Sequence, residues 1–244
     1  MTEPIKLLTF NIYFGRAVTE VVLLIKKHHP DVICLQEFEI NDHSIKEIEK
    51  TGYHLADYSH SFFKFFKFFG IATFYNPQTV TYSNGISINL SKSLYEFLLL
   101  VFGMSKGGGR TVLKTVFTRK DTNTVFSVYN LHLTAMQATN RTRDRQISTL
   151  IDYVQQDENK QVLITGDFNY SYKRKNFEET FLQNGLSEVT TDIDYTCVTR
   201  VLGLFNLRVK LDYILCRGCG SHPVERLDRE KSDHYPLLAS FSSI

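Results

Sequence analysis

The chain has 244 residues, 43% of them hydrophobic, enough to bury a full core, and length alone permits one large domain or two small ones. Lys plus Arg total 28 against 26 Asp plus Glu, so the net charge of +2 gives little long-range attraction for nucleic acid or an anionic membrane, and any polyanion preference rests on local patches. Cysteines at 34, 197, 216 and 219 are too few and too uneven for a disulfide framework; Cys216-x-x-Cys219 is half of a zinc site without its second half and reads as two ordinary thiols at a strand end. No basic-then-apolar leader opens the chain, and its longest apolar run, Leu94 to Met104, contains Glu96 and falls short of the roughly 20 residues that span a bilayer. The expectation is a soluble, cytoplasmic protein.

Ile5 to Asn11 reads as a strand, Val18 to His29 as a helix stopped by Pro30, and Val32 to Glu37 as a buried strand ending in Gln36-Glu37. A second helix is expected from Asp42 to Lys50, then short strands at Gly70 to Tyr75 and Val80 to Leu90, punctuated by Asn76-Pro77 and Asn84-Gly85. Arg110 to Arg119 and Val125 to Leu131 alternate apolar and polar around Asp121-Thr122-Asn123-Thr124, a hairpin signal whose second strand ends at His132. Arg141 to Gln156 places Ile147, Leu150, Ile151 and Val154 on one helical face. Strands follow at Val162 to Thr165, at Val209 to Cys216 carrying Asp212, and at Tyr235 to Phe241. Strands and helices alternate in both halves, which predicts helices packed outside two central sheets. Asn11, Glu37, His132, Asp167, Asn169 and His234 then fall at strand ends or in adjoining loops, where they converge easily on one edge.

The biased stretch Phe62 to Phe69, eight residues with lysines only at 64 and 67, has two readings. As a helix it puts both lysines on one side and suits an interfacial or substrate-gripping element. As a core segment it buries the rings and lets two lysines snorkel. Lys106 to Arg110 reads as a loop, with a phosphate contact as its functional reading.

Phosphodiester hydrolysis needs charge neutralisation on the phosphate, a positioned water and a stabilised leaving oxygen. Oxygen ligands such as Glu37 and Asn11, at the ends of adjacent strands, suit magnesium (Mg2+) for the first task, with manganese as a substitute. Thr9-Phe10-Asn11, Leu35-Gln36-Glu37, Asn130-Leu131-His132-Leu133, Gly166-Asp167-Phe168-Asn169, Leu211-Asp212-Tyr213-Ile214 and Ser232-Asp233-His234 occur in this order. Together they resemble the endonuclease/exonuclease/phosphatase superfamily, from about residue 6 to residue 242. The resemblance implies an α/β fold in four αββα layers, two packed mixed sheets with helices outside, as one catalytic domain over 1–244 and a monomer.

It also implies roles. Glu37 binds the catalytic metal with Asn11 beside it, and Asp212 is a carboxylate either on the metal side or supporting the site residues from behind. Asp167 and Asn169 orient the attacking water and the scissile phosphate. His234, its tautomer held by Asp233, acts as general base or as a cation facing the phosphate, and His132 faces a phosphoryl oxygen or the leaving group. Apart from the resemblance, Arg110 in the glycine loop, and Arg141, Arg143 and Arg145 after His132, are candidate phosphate contacts by charge and position, with helix-surface arginines as the favoured reading for the last three. Departures narrow the substrate: abasic-site endonucleases have tyrosine where this chain has His132 and rely on a tryptophan, which this chain lacks, and the Trp-Cys-Asp-Arg signature of inositol phosphatases is replaced around Asp212. A nuclease or DNA-end phosphodiesterase acting on nucleic acid is therefore expected. A sphingomyelinase-type enzyme acting on membrane lipid is the alternative, and a silent binding module on the same fold the weaker one.

Overall fold

Alternate residues of a strand point to opposite faces, and strand β1 (Ile5–Asn11) uses both. Ile5 and Leu7 pack toward a second sheet, whereas Leu8 and Phe10 pack against helices. This is a computed structural model, and it describes residues 3–64, 66–91, 110–135, 139–170, 172–201 and 205–242. Along the chain β1 is followed by α1 (Val18–His28), β2 (Val32–Glu39), α2 (Asp42–Glu49), β3 (His54–Lys64), β4 (Lys67–Tyr75), β5 (Val80–Asn89), β6 (Thr111–Arg119) and β7 (Val125–His132). Then come α3 (Asn140–Gln155), β8 (Gln161–Asp167), α4 (Arg174–Gln183), β9 (Ser187–Glu188), β10 (Cys197–Val201), β11 (Phe205–Val209) and β12 (Asp212–Arg217). The short β13 (Gly220–Ser221) and β14 (Glu225–Arg226) precede β15 (Leu237–Ser242).

One sheet has the order β13-β15-β1-β2-β4-β3 with β14 on β15, and the other the order β5-β6-β7-β8-β12-β9. Each contains one parallel pair, β1 with β2 and β7 with β8, among antiparallel ones, so both are mixed. Val32 and Cys34 of the first sheet meet Phe126, Val128, Leu163 and Ile214 of the second in a core between the sheets. Val21, Leu24 and Ile25 of α1 cover the first sheet from outside; Ile147, Leu150 and Val154 of α3, with Phe177 and Phe181 of α4, cover the second. The result is the expected four-layer αββα sandwich. Among the described residues no helix is long and apolar enough to cross a membrane.

Several expectations change. The stretch Phe62 to Phe69 is neither helix nor wholly core: apart from Phe65, which lies outside the described residues, its residues form the end of the β3–β4 hairpin, with Phe69 buried and Phe66 exposed at the turn. Val209 to Cys216 is not one strand, because β11 ends at Val209 and β12 begins at Asp212. Glu37 does not end its strand; it sits in a register shift between Leu35 and Phe38, in the left-handed conformation with φ 53°. Leu94 to Met104 and the Lys106 to Gly109 part of the glycine loop lie outside the described residues.

Candidate active site

The parallel pairs deliver their C-terminal ends to one edge. There β1 ends in Asn11, β7 in His132 and β8 in Asp167, while β2 carries Glu37 close by. Antiparallel β12 begins at that edge, so register aligns His132, Asp167 and Asp212 as direct neighbours across three strands. His234 lies in the segment entering β15, where it forms a bridge with Cys197. The Ser232 hydroxyl donates to the Asn11 carbonyl at 2.7 Å and accepts the His234 amide at 3.0 Å, which ties this segment to the end of β1.

Asp167 is the point of convergence. Its Oδ2 accepts from Asn11 Nδ2 at 3.0 Å and lies 3.4 Å from His132 Nε2 and 3.9 Å from His234 Nε2. Its Oδ1 accepts the Asn169 backbone amide at 2.9 Å, and Asn169 Nδ2 donates to the Leu133 carbonyl at 3.3 Å. Burial, with the Asp212 and Glu37 charges and against the attraction of His234, raises its pKa to about 7.

The two imidazoles are held differently. His234 Nδ1 meets Asp212 Oδ2 at 2.7 Å. Burial alone would discharge this ring, but the Asp212 carboxylate, aided by Cys197 and Asp167, takes its pKa well above the ordinary histidine value. The carboxylate that holds His234 is therefore that of Asp212, not the adjacent Asp233. His132 Nδ1 lies 3.3 Å from the Arg110 guanidinium, which can only donate, so Nδ1 accepts and Nε2 carries the proton. Burial, then the Arg110 and His234 charges, depress the His132 pKa well below its ordinary value, and the ring is a neutral donor aimed at Asp167 and, 4.0 Å away, Glu37 Oε1.

The Glu37 side chain is 15% exposed, and its Oε2 accepts the Phe14 amide at 3.1 Å. That amide belongs to a left-handed turn in which Tyr13, Phe14 and Gly15 have φ of 47°, 53° and 74°. Burial, together with the Asp233 charge, pushes the Glu37 carboxyl up against the pull of His234 and Arg110. Asp233 Oδ1 is buried without a hydrogen-bond partner among the described residues. Repelling, desolvated carboxylates and an orphaned oxygen beside an amide oxygen are the donor set a hard divalent cation satisfies. Asp167, Asp212 and His234 also present ligand atoms within 4.8 Å of one another.

Arg110 is thus brought to the site. Arg141 and Arg145 are not: both stand exposed on α3 and, among the described residues, neither bonds to a site residue. Arg143 between them is fully buried and holds the Thr134 and Ala135 carbonyls and Asn140 Oδ1. Gln36 and Asn130, given no role by the motifs that contain them, join the sheets behind the site. Gln36 Nε2 donates to Asn130 Oδ1 at 2.8 Å, and Asn130 Nδ2 donates to the Ala72 carbonyl at 3.0 Å. Their signal in the sequence is a polar residue inside an otherwise apolar strand. Thr196, whose hydroxyl accepts the Leu211 and Asp212 amides at 3.0 Å, had no such signal.

A pair of packed mixed sheets with carboxylates, amides and imidazoles converging at one edge is a scaffold for phosphoester hydrolysis. The family model for the endonuclease/exonuclease/phosphatase family matches residues 8–234, and the chain belongs to that family, whose members are hydrolases of phosphoester bonds, generally dependent on divalent metal. No curated protein matches the chain in sequence. Among solved structures, the human nocturnin catalytic domain with bound sulfate is similar at 19% identity and TM-score 0.77, over 99% of this chain and 95% of that one. D. rerio TDP2 complexed with a single-strand DNA product is similar at 14% identity and TM-score 0.72, over 99% and 100%. The mannosyl-6-phosphatase of Bacteroides thetaiotaomicron is similar at 16% identity and TM-score 0.70, over 98% and 99%. Such identities carry the fold and leave the substrate open.

Proposed function

We propose that the chain, as one catalytic domain over 1–244, is a magnesium-dependent phosphodiester hydrolase acting on nucleic acid, as a nuclease or DNA-end phosphodiesterase. The observation that carries this reading is the convergence of Asn11, His132 and His234 on one oxygen of Asp167, with Glu37 alongside. Glu37, Asn11 and Asp233 would hold the metal, which supplies charge neutralisation at the phosphate and the leaving oxygen when bound. Asp167 takes the proton of the attacking water, a task that its near-neutral pKa suits, while Asn169 fixes the Asp167 carboxylate through its backbone amide. His234, charged by Asp212, and the Nε2 proton of His132 face the phosphate oxygens, and Arg110 adds positive charge behind His132. The nucleic-acid substrate is supported by the DNA product in the TDP2 structure and by Arg110 at the site. A lipid phosphodiester is the second reading, favoured by the exposed phenylalanines at the β3–β4 turn.

The test is purified protein with magnesium, and separately with EDTA, offered single- and double-stranded DNA, RNA, a 5'-phosphotyrosyl oligonucleotide and sphingomyelin vesicles. Magnesium-dependent cleavage of an oligonucleotide is expected, abolished in Glu37→Gln with the fold intact. Hydrolysis of sphingomyelin alone would replace the first reading by the second, and full activity in EDTA would remove the metal.

A further inference from the structure

The β3–β4 hairpin outruns the sheet that carries it. Pairing of β2 with β4 stops at Glu39↔Phe69, and the rungs Phe63↔Phe68 and Lys64↔Lys67 continue beyond it. The overhang leaves the edge that carries Glu37, and its base touches the site: the Phe62 ring stacks on Phe69 at 5.5 Å and lies 6.4 Å from the His132 ring. Its end is apolar and wet, with Phe66 90% and Phe68 54% exposed and Phe63 half-buried between them. Burying phenyl rings is strongly favourable, so a tip that keeps them in water is built for something that takes them out of it.

We propose that this tip is an interfacial anchor that inserts Phe66, Phe68 and Phe63 into an anionic lipid surface and turns the active-site edge toward it. The inference goes beyond the hydrolase reading and stands whichever phosphodiester is cleaved. Ring geometry selects the occupant. Phe63 meets Phe68 edge-on at 4.9 Å and Phe66 edge-on at 6.5 Å, and His60 meets Phe68 at 5.4 Å, so the rings engage one another. Base stacking needs open ring faces along a groove that tracks a backbone; insertion needs only exposed apolar area on a convex element. Charge agrees. Lys64, its Nζ 4.2 Å over the Phe14 ring, and Lys67 flank the rings, and Arg16 stands over Tyr13 at 4.8 Å on the same edge; Glu39 beside the tip is paired with Lys67 at 2.8 Å. Lysines beside an apolar tip suit an anionic headgroup layer.

The chain contains no tryptophan, so Phe66→Trp installs a single fluorescent reporter where the apolar contact would form. With EDTA present to silence hydrolysis, emission is measured against phosphatidylcholine vesicles, the same vesicles with phosphatidylglycerol, and a single-stranded oligonucleotide. A blue shift and co-sedimentation with the phosphatidylglycerol vesicles are expected, and the Phe66→Ser/Phe68→Ser pair, folded by circular dichroism, loses roughly tenfold or more of that binding. Lys64→Gln/Lys67→Gln weakens it several-fold on anionic vesicles only. An unshifted spectrum with all vesicles overturns the proposal, as does a response to the oligonucleotide alone. Concentration-dependent dimers that Phe66→Ser abolishes, without vesicle binding, would assign the tip to a second copy instead. Because no arm reads catalysis, a failed anchor and a failed hydrolase are told apart.

Discussion

At 2.7 Å, His234 Nδ1 and Asp212 Oδ2 form a buried charge-assisted hydrogen bond that keeps the imidazolium charged and its Nε2 directed at Asp167. Asp233 does not do this: its carboxylate comes within 4.8 Å of a His234 ring nitrogen and of Cys197 Sγ, but Nδ1 is bonded to Asp212, and Asp233 Oδ1 has no hydrogen-bond partner among the described residues. The six motifs make the members of the site legible, whereas the pairing between them is set by β-sheet register, which places Asp212 opposite Asp167 across two strands. Asp212→Asn is expected to cut kcat at least about a hundredfold, since a catalytic electrostatic partner is removed. It should also move the high-pH limb of the kcat profile toward acid, because the anion that raises the His234 pKa is gone. Asp233→Asn should leave that limb in place and raise the magnesium concentration needed for half-maximal activity. The opposite pattern, a moved limb in Asp233→Asn and an unmoved one in Asp212→Asn, would return the positioning role to Asp233. For Asp167→Asn and His234→Ala, large single losses and a double mutant no worse than either are expected of groups acting as a unit; multiplicative losses in single-turnover assays would mean that they act separately.

Elements were legible where periodicity is clean and hidden where it breaks. The four apolar positions of α3 mark its buried face, and the β6–β7 hairpin pairs without a register shift from Val112↔Leu131 to Thr118↔Val125. Strand β3 does not alternate: its pairing with β4 slips between Leu55 and Asp57 and again between His60 and Phe62, and each slip reverses which residues face inward. Helix α4 buries only Phe177 and Phe181, a two-point stripe too short to read as a helix. The junction of β7 and β8 depends on one backbone feature. Gly166 has φ +138°, and a Cβ there would collide with the Leu131 carbonyl oxygen, so the glycine lets the strand ends carrying His132 and Asp167 approach. Gly166→Ala is expected to destabilise the protein by about 3 kcal/mol or more and to lower activity through Asp167. Gly52→Ala, at φ +89° with nothing within 4 Å, should cost only about 1 kcal/mol. Equal denaturant midpoints for the two variants would show that the close approach at Gly166 relaxes freely.

The layers of the whole molecule were legible from strand and helix alternation, but the way the sheets are locked behind the site was not. Gln36, Asn130 and Thr73 are buried polar groups between sheets, and only a three-dimensional pairing gives Gln36 Nε2 and the Asn130 amide their partners. The same burial makes global stability depend on pH and metal. Asp167 is raised from 3.8 to about 7, Glu37 is raised, and His234 is raised well above 6.5. A raised folded-state pKa contributes stability that is complete below the unfolded-state value and is lost as pH rises through the folded-state value. His132, depressed well below 6.5, has the reverse sign, contributing above 6.5 and losing that contribution as pH falls. Asp167 therefore loses its contribution between 3.8 and about 7, and His234 loses its own from 6.5 upward while that of His132 is nearly constant, so the metal-free protein should melt at progressively lower temperature as pH rises through about 7, with His234 alone carrying the fall above it. A bound divalent cation replaces the missing protons on the carboxylates, so saturating magnesium should raise the melting temperature most at the alkaline end and flatten this slope. Thermal melts in EDTA and in magnesium across this window check both statements. A metal-free melting temperature that rises with pH above 6.5 would mean that the site carboxylates are ionised and paired without a cation, and would leave the metal no electrostatic work to do there.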